Sequence, residues 1–436
     1  MPHSSTEDTS RRAFLKTSAG AVAASSMLEL APTVHAGGSG VIKVGLIGCG
    51  GRGTGAAEQA CSAGDDIRLV AMGDMFRDRL DEKREILRSS LGSRFAVKDE
   101  NCFVGFDAYK GVLHSDVDVV LLATPPHFRP LHLEAAIDAG KHVFAEKPVA
   151  VDATGARRVL QSCAAAKKKN LAVGSGLCWR YHEGMRETFQ QIHAGKIGDI
   201  VTMQATYNMG MLWFRSLKEK QEKGWSDMEW QLRNWLYFTW LSGDHIVEQH
   251  VHSLDKMAWA MKNEYPIKAS GMGGRQVRTA PDYGNIFDHH AVVFEFASGV
   301  KLFSYCRQQP GVAADVSDHI MGTKGVCHIN ATEGTSRITG PETWEYKAAR
   351  ARKQNMYQNE HNELFASIRS GHPLNDGDWM TKSTLMAIMG RMATYTGQVI
   401  TWDALLNSKE DLTPPSYQFG ALPMPPVAMP GVTKVS

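Results

Sequence analysis

No two of the seven cysteines in this 436-residue sequence are spaced as C-x-x-C, and their number is odd. Neither a disulfide framework nor a structural zinc site is expected from them. Charge of one sign is also missing. Lys plus Arg number 48 against 46 for Asp plus Glu, a formal net charge of +2, which argues against a polyanion surface and so against a nucleic-acid partner. No apolar run reaches the roughly 20 residues that span a bilayer, so no stable membrane anchor is expected. Internal repeats, coiled-coil heptads and a nucleophile elbow are absent too. What remains is ordinary globular material, 43% hydrophobic and 22% charged, in a chain long enough for two to three domains.

The clearest local signal is "VIKVGLIGCGGRGTGAAEQA", residues 41–60. Val41 to Ile47 is a β-branched apolar run, the pattern of a buried parallel strand. It leads into Gly48, Gly50, Gly51, Arg52 and Gly53, a G-x-G-x-x-G turn, and then into a helix. Such glycines serve a tight turn, close approach of a pyrophosphate, and helix–strand packing, with the phosphates on the helix N-terminus. A second strand, "IRLVAMGD", ends at Asp74, 24 positions after Gly50. A carboxylate there suits a ribose diol and repels a 2′-phosphate, so NAD is favoured; Arg77 and Arg79 close by would admit NADP. Further strands over residues 117–126 and 142–148, with a helix between them, give a parallel doubly wound sheet.

In such a sheet ligands bind outside the carboxyl ends of the strands. Lys147 sits at one of these ends, where an ammonium group can hydrogen-bond a substrate hydroxyl and stabilise a developing alkoxide. Downstream, "SGDHIVEQHVHSLDK", residues 242–256, reads as part of a helix over 244–261 capped by Ser242 or Asp244. On one continuous helix His245, Glu248, His252 and Asp255 form a single stripe, shared by Trp259, while His250 falls among apolar residues. Three residues on that stripe, His245, Glu248 and His252, could offer metal ligands, but the motif is not H-E-x-x-H and no metal is expected. Trp235 and Tyr237, in a tryptophan-rich segment, offer aromatic faces to the C–H faces of a sugar.

"GLIGCGGRG", "ATPPHFRPLHLEAAIDAGKHVFAEKP" and the later H-x-x-D of His252 to Asp255 together resemble the Gfo/Idh/MocA oxidoreductases, and the resemblance covers nearly all of residues 41–400. It implies a second α+β domain with a large, mostly antiparallel sheet and a homo-oligomer. It also implies that Thr124, Pro125 and Glu146 line the cofactor and that Lys147 binds the substrate hydroxyl. His252 becomes the acid/base, with Glu248 at the place of the family's aspartate to orient it. Arg180 and Tyr181, on a loop that faces the active site in the family, become substrate contacts together with Trp235, Tyr237 and His245.

The function implied is NAD-dependent oxidation of a secondary hydroxyl on a sugar, glycoside or cyclitol. The alternatives are an NAD-dependent glycoside hydrolase working by oxidation, elimination and re-reduction, and a non-catalytic sugar sensor. The first segment, with "SRRAFLK" at 10–16, an Ala-rich apolar run and "VHA" at 34–36, resembles a twin-arginine export signal cut after Ala36. An exported or periplasmic enzyme served by that machinery would carry its nucleotide tightly bound. The expected division is a signal over 1–36, a dinucleotide domain over 41–170, a substrate and oligomerisation domain over 171–400, and a Pro-rich tail over 401–436.

Overall fold

A computed structural model describes residues 40–346 and 355–434 of the chain. The expected export signal, residues 1–36, lies outside the described residues. Residues 41 onward fold around two sheets. The first contains β1 (Ile42–Ile47), β2 (Ile67–Asp74), β3 (Cys102–Val104), β4 (Val119–Leu122), β5 (His142–Ala145) and β6 (Val173–Ser175). Its order is β3-β2-β1-β4-β5-β6 and every pairing is parallel. The order reverses direction between β1 and β4, and that switch point opens a crevice at the carboxyl ends of the strands. β4 and β5 are buried at every residue, as strands covered on both faces must be.

β6 corrects the expected boundary at residue 170. Residues 173–175 pair with β5 and complete the first sheet, so the dinucleotide domain runs at least to Ser175. Three residues of strand carry too little periodicity to be seen in sequence.

The second sheet has nine strands: β7 (Ile200–Met209), β8 (Lys268–Gly274), β9 (His289–Glu295), β10 (Lys301–Gln308), β11 (Asp315–Gly322), β12 (Val326–Asn330), β13 (Thr335–Thr339), β14 (Trp344–Glu345) and β15 (Ile400–Thr401). In the order β14-β13-β12-β11-β7-β10-β9-β8-β15, every pairing is antiparallel except β7 with β10. β10 alternates exposed and buried along its length, so one face is packed and the other open. The helices Val251–Ala260 and Gly377–Thr396 cover the packed face; Leu254, Met257, Met386 and Met389 join Phe294, Leu302 and Ile320 there.

The tail runs without helix or strand after a short helix Trp402–Asn407. Leu412, Tyr417 and Leu422 pack onto a cluster that includes Phe76, Phe128, Trp230 and Tyr237. All seven cysteines are free thiols; six are buried and only Cys102 is partly exposed. Among the described residues, no helix is long and apolar enough to cross a membrane.

Candidate active site

The crevice is a cleft of about 1010 Å³ between the glycine turn and the second sheet. At its floor Gly48 has φ +98°, and a Cβ there would lie 2.6 Å from the backbone of Ala123 and Thr124. Gly53 lies beneath the turn rather than on the cleft, and its Cβ would meet the Gly48 carbonyl oxygen at 1.9 Å. Above Gly50 and Gly51 there is open space, with nothing within 4 Å of a built Cβ. The helix Gly51–Ser62 starts at this point, so its unpaired N–H groups face the opening.

Asp74 lines the cleft and is fixed from both sides. Cys49 N–H donates to its Oδ2 at 2.6 Å and Phe76 N–H to its Oδ1 at 2.9 Å, which leaves each oxygen able to accept once more. Burial raises its carboxyl above the ordinary range, against Arg79 and the two backbone donors. Arg79 lines the cleft; Arg77 faces Asp81 on the surface. Backbone open to a pyrophosphate, a helix N-terminus and a fixed acid at the end of β2 fit a dinucleotide.

Thr124, Pro125, Arg52, Glu146 and Lys147 also line the cleft. Glu146 ties the loop together: Arg52 Nε stands 3.2 Å from its Oε1, and Lys147 N–H donates to its Oε2 at 3.1 Å. The buried Arg129 donates to Thr124 O and Pro148 O, each at 2.6 Å, and so pins the ends of β4 and β5 to each other. His127 and His132 serve packing. His127 meets the Tyr417 hydroxyl at 2.8 Å, and His132 stacks on Tyr109. Burial lowers them to about 4 and about 3, so both imidazoles are neutral at neutral pH.

Lys147, Glu248 and His252, expected as catalytic residues, meet in the cleft from both domains. Lys147 Nζ donates to Glu248 Oε1 and to Glu248 O, both at 2.8 Å. Glu248 therefore holds Lys147, and the expected contact from Glu248 to His252 is not made. His252 lines the same cleft with its Nδ1 buried and unpartnered. Burial, with the cations of Lys147 and Lys256 adding to it, holds the imidazole well below its ordinary value, so it is neutral. A neutral imidazole and an ammonium group facing one space can take a proton and steady an oxyanion.

The single helix expected over 244–261 is two helices, His245–Glu248 and Val251–Ala260. His250 N–H donates to His245 O at 3.1 Å, five residues back, a π-type turn that advances the register by one residue. The stripe is thereby split. Glu248 and His252 face the cleft, His245 turns toward His290, and Asp255 turns toward Arg180. His250, expected in the core, is fully buried and meets Ser304 Oγ at 2.7 Å.

Four expected substrate contacts are placed elsewhere. Arg180 is locked to Asp255 by two 2.8 Å bonds, with its guanidinium between the rings of Trp259 and Trp379. Tyr181 is buried and donates to Asp376. Tyr237 is buried and donates to Leu212 O at 2.7 Å, bracing the segment above the cleft. His245 is buried and does not reach the cleft. Trp235 does line it, stacked at 5.6 Å on Trp213. Trp213, Tyr207 and Gln249 line it as well and were missed in the sequence; Tyr207 donates to Gln249 Oε1 at 3.1 Å. Gln249 lay inside the stretch already singled out, but an amide between histidines carries no motif.

Sheet order, switch-point cleft and glycine turn define a Rossmann dinucleotide-binding domain joined to an α+β domain. Residues 42–175 match the model of the Gfo/Idh/MocA family, described as an oxidoreductase family with an NAD-binding Rossmann fold. Among curated relatives, 2,7-anhydro-N-acetylneuraminate hydratase of Escherichia coli (strain K12) is 30% identical over 273 residues, 59% of this chain. That match spans 64% of the hydratase's own length, just under two thirds. Inositol 2-dehydrogenase of Burkholderia cenocepacia (strain HI2424) is 24% identical over 66% of this chain and 74% of its own. The whole fold is shared with aldose-aldose oxidoreductase from Caulobacter crescentus, at TM-score 0.65 and 18% identity over 83% of this chain and 99% of that one. Levoglucosan dehydrogenase in complex with NADH and levoglucosan superposes with TM-score 0.65 and 16% identity, over the same shares of the two chains.

Proposed function

We propose that this protein is an NAD-dependent oxidoreductase acting on a secondary hydroxyl of a sugar, glycoside or cyclitol. The observation that carries this is the meeting of Lys147, Glu248 and neutral His252 in the same cleft as the glycine turn and Asp74. NAD supplies the hydride acceptor when bound. Lys147 Nζ donates to the substrate oxygen and stabilises its developing negative charge. Glu248 keeps the ammonium group aimed into the cleft. With Nδ1 of His252 buried, Nε2 is the nitrogen left to accept the hydroxyl proton. The stacked pair Trp213 and Trp235 offers a flat apolar surface to a ring substrate, and Arg52, Glu146, Thr124 and Pro125 hold the nucleotide end.

A second reading uses the same groups for a reaction with no net redox change: oxidation, elimination, addition of water and re-reduction on a retained nucleotide. The similarity to a hydratase favours it. A tightly held nucleotide suits either reading, and so does export through a twin-arginine signal over residues 1–36. The open face of the second sheet, with Met272, Phe303 and Tyr305 exposed, supports a homo-oligomer.

The test is to purify the protein without added nucleotide and follow the near-ultraviolet absorbance of reduced nicotinamide while adding sugars and glycosides. A nucleotide that becomes and stays reduced means a dehydrogenase. Release of an aglycone or water adduct with no lasting absorbance change means the hydrolytic or hydratase reading. Protein that neither carries nor binds a dinucleotide refutes both.

A further inference from the structure

Behind the cleft, and apart from it, a second cluster gathers at the start of the catalytic helix pair. Asp244, His245 and His290 are each at most 2% exposed, and one ligand atom from each lies within 4.8 Å of the others. Asp244 Oδ1 is 2.8 Å from His245 Nδ1, and Asp244 Oδ2 is 3.3 Å from His290 Nε2. Neither contact is aligned as a hydrogen bond, and both nitrogens of His245 and Nε2 of His290 are buried without a hydrogen-bond partner.

The protons around His290 can be assigned. Thr394 Oγ1 donates to the carbonyl of Arg391 at 2.9 Å, and a carbonyl can only accept. The hydroxyl has no second proton, so its 2.9 Å contact with His290 Nδ1 is donated by the ring. In neutral His290 the lone pair is then on Nε2, facing a carboxylate oxygen. That carboxylate is held as an anion by Phe287 N–H at 2.9 Å and the Tyr395 hydroxyl at 2.6 Å. Nε2 then donates nothing to the carboxylate oxygen 3.3 Å away, and a cation beside the two would bind both.

We infer that Asp244, His245 and His290 form a buried site for a divalent transition metal of the zinc class. One carboxylate and two imidazoles are a common set of three protein ligands for such an ion, and Tyr395 Oη stands beside them as a further oxygen. The ligands come from the turn before Glu248 and from β9. A metal there would fix the start of the helix pair that carries Glu248 and His252 against the second sheet, without touching substrate. It does not depend on the oxidoreductase reading.

The experiment is elemental analysis of the full chain purified without chelator, followed by removal of the metal and addition of cobalt(II). About one metal per chain is expected, with ligand-field absorption of a four-coordinate nitrogen–oxygen site after cobalt loading. His245→Ala and His290→Asn should each lose the metal. His252→Asn and Glu248→Gln should keep it, which separates this site from one in the cleft. Wild-type protein with no bound metal and no cobalt spectrum overturns the inference. Metal retained in folded His290→Asn, or lost in folded His252→Asn, overturns it equally. The cobalt spectrum of the wild type decides the matter even where a variant fails to fold.

Discussion

Replacing Arg180 by Met would test whether that side chain supports the fold or binds substrate. Arg180 is 9% exposed and Asp255 1%, and the pair is bidentate at 2.8 Å. Asn263 Oδ1 accepts from the same guanidinium at 2.9 Å, and Ser383 donates to Asp255 at 2.7 Å. Removing the cation alone leaves Asp255 buried with Ser383 as its side-chain donor. Breaking such a pair costs about 3–5 kcal/mol. Loss of the guanidinium between Trp259 and Trp379 belongs to the same change, so about 4 kcal/mol is the expected destabilisation. Out of a typical total of about 5–15 kcal/mol this is severe but compatible with folding. Urea unfolding followed by tryptophan fluorescence measures it directly, because both flanking rings are fluorophores. Replacing both partners, Arg180→Met with Asp255→Leu, should recover most of the loss, since no charge is then left buried. A single variant destabilised by less than about 1 kcal/mol, yet with KM raised tenfold, would show that Arg180 contacts substrate and that the reasoning fails.

Lys147→Met and His252→Asn should each lower kcat by about 10²–10³ while bound nucleotide is retained, as measured by single-turnover reduction. The double variant should lose little more than either single one, because the two groups serve one hydroxyl. On the free enzyme the acid limb of kcat/KM should lie below about 6.5, the ordinary histidine value, since His252 is held neutral. Asp74→Ala should weaken NAD and relax discrimination against NADP, read as the ratio of their dissociation constants. Stability should fall in mild acid. His127, His132 and His361 are buried with values lowered to about 4, 3 and 3, so the unfolded chain takes up protons first as pH falls below 6.5. Each then costs about 2 kcal/mol at pH 5, and the loss deepens until the pH passes below the folded values. A flat denaturation midpoint between neutrality and mild acid would contradict this.

Much of the nucleotide end was legible because its chemistry is local. A β-branched strand, a glycine turn and an acid at the end of the next strand are contiguous, and Gly48, Gly50 and Asp74 take up the places their spacing predicts. Lys147 was legible for the same reason. The substrate end was harder. Projection onto an ideal helix placed His245, Glu248, His252 and Asp255 on one stripe, but one hydrogen bond from His250 to His245 O reassigns half of them. Arg180 was expected to touch substrate because the matching loop faces the active site in the family, and the partner that holds it instead lies 75 residues away. Trp213, in a loop with φ +48°, belongs to no period at all.

The distribution of sulfur has a practical consequence. In the folded protein Cys102 alone offers a thiol to solvent, and burial pushes Cys61, Cys163 and Cys327 up to about 12. Cys49, Cys61 and Cys163 sit in the first domain, Cys306 and Cys327 in the second sheet. A thiol reagent therefore acts as a clock that starts only when the chain opens. The order in which these five sulfurs react in rising denaturant would report which half of the molecule lets go first.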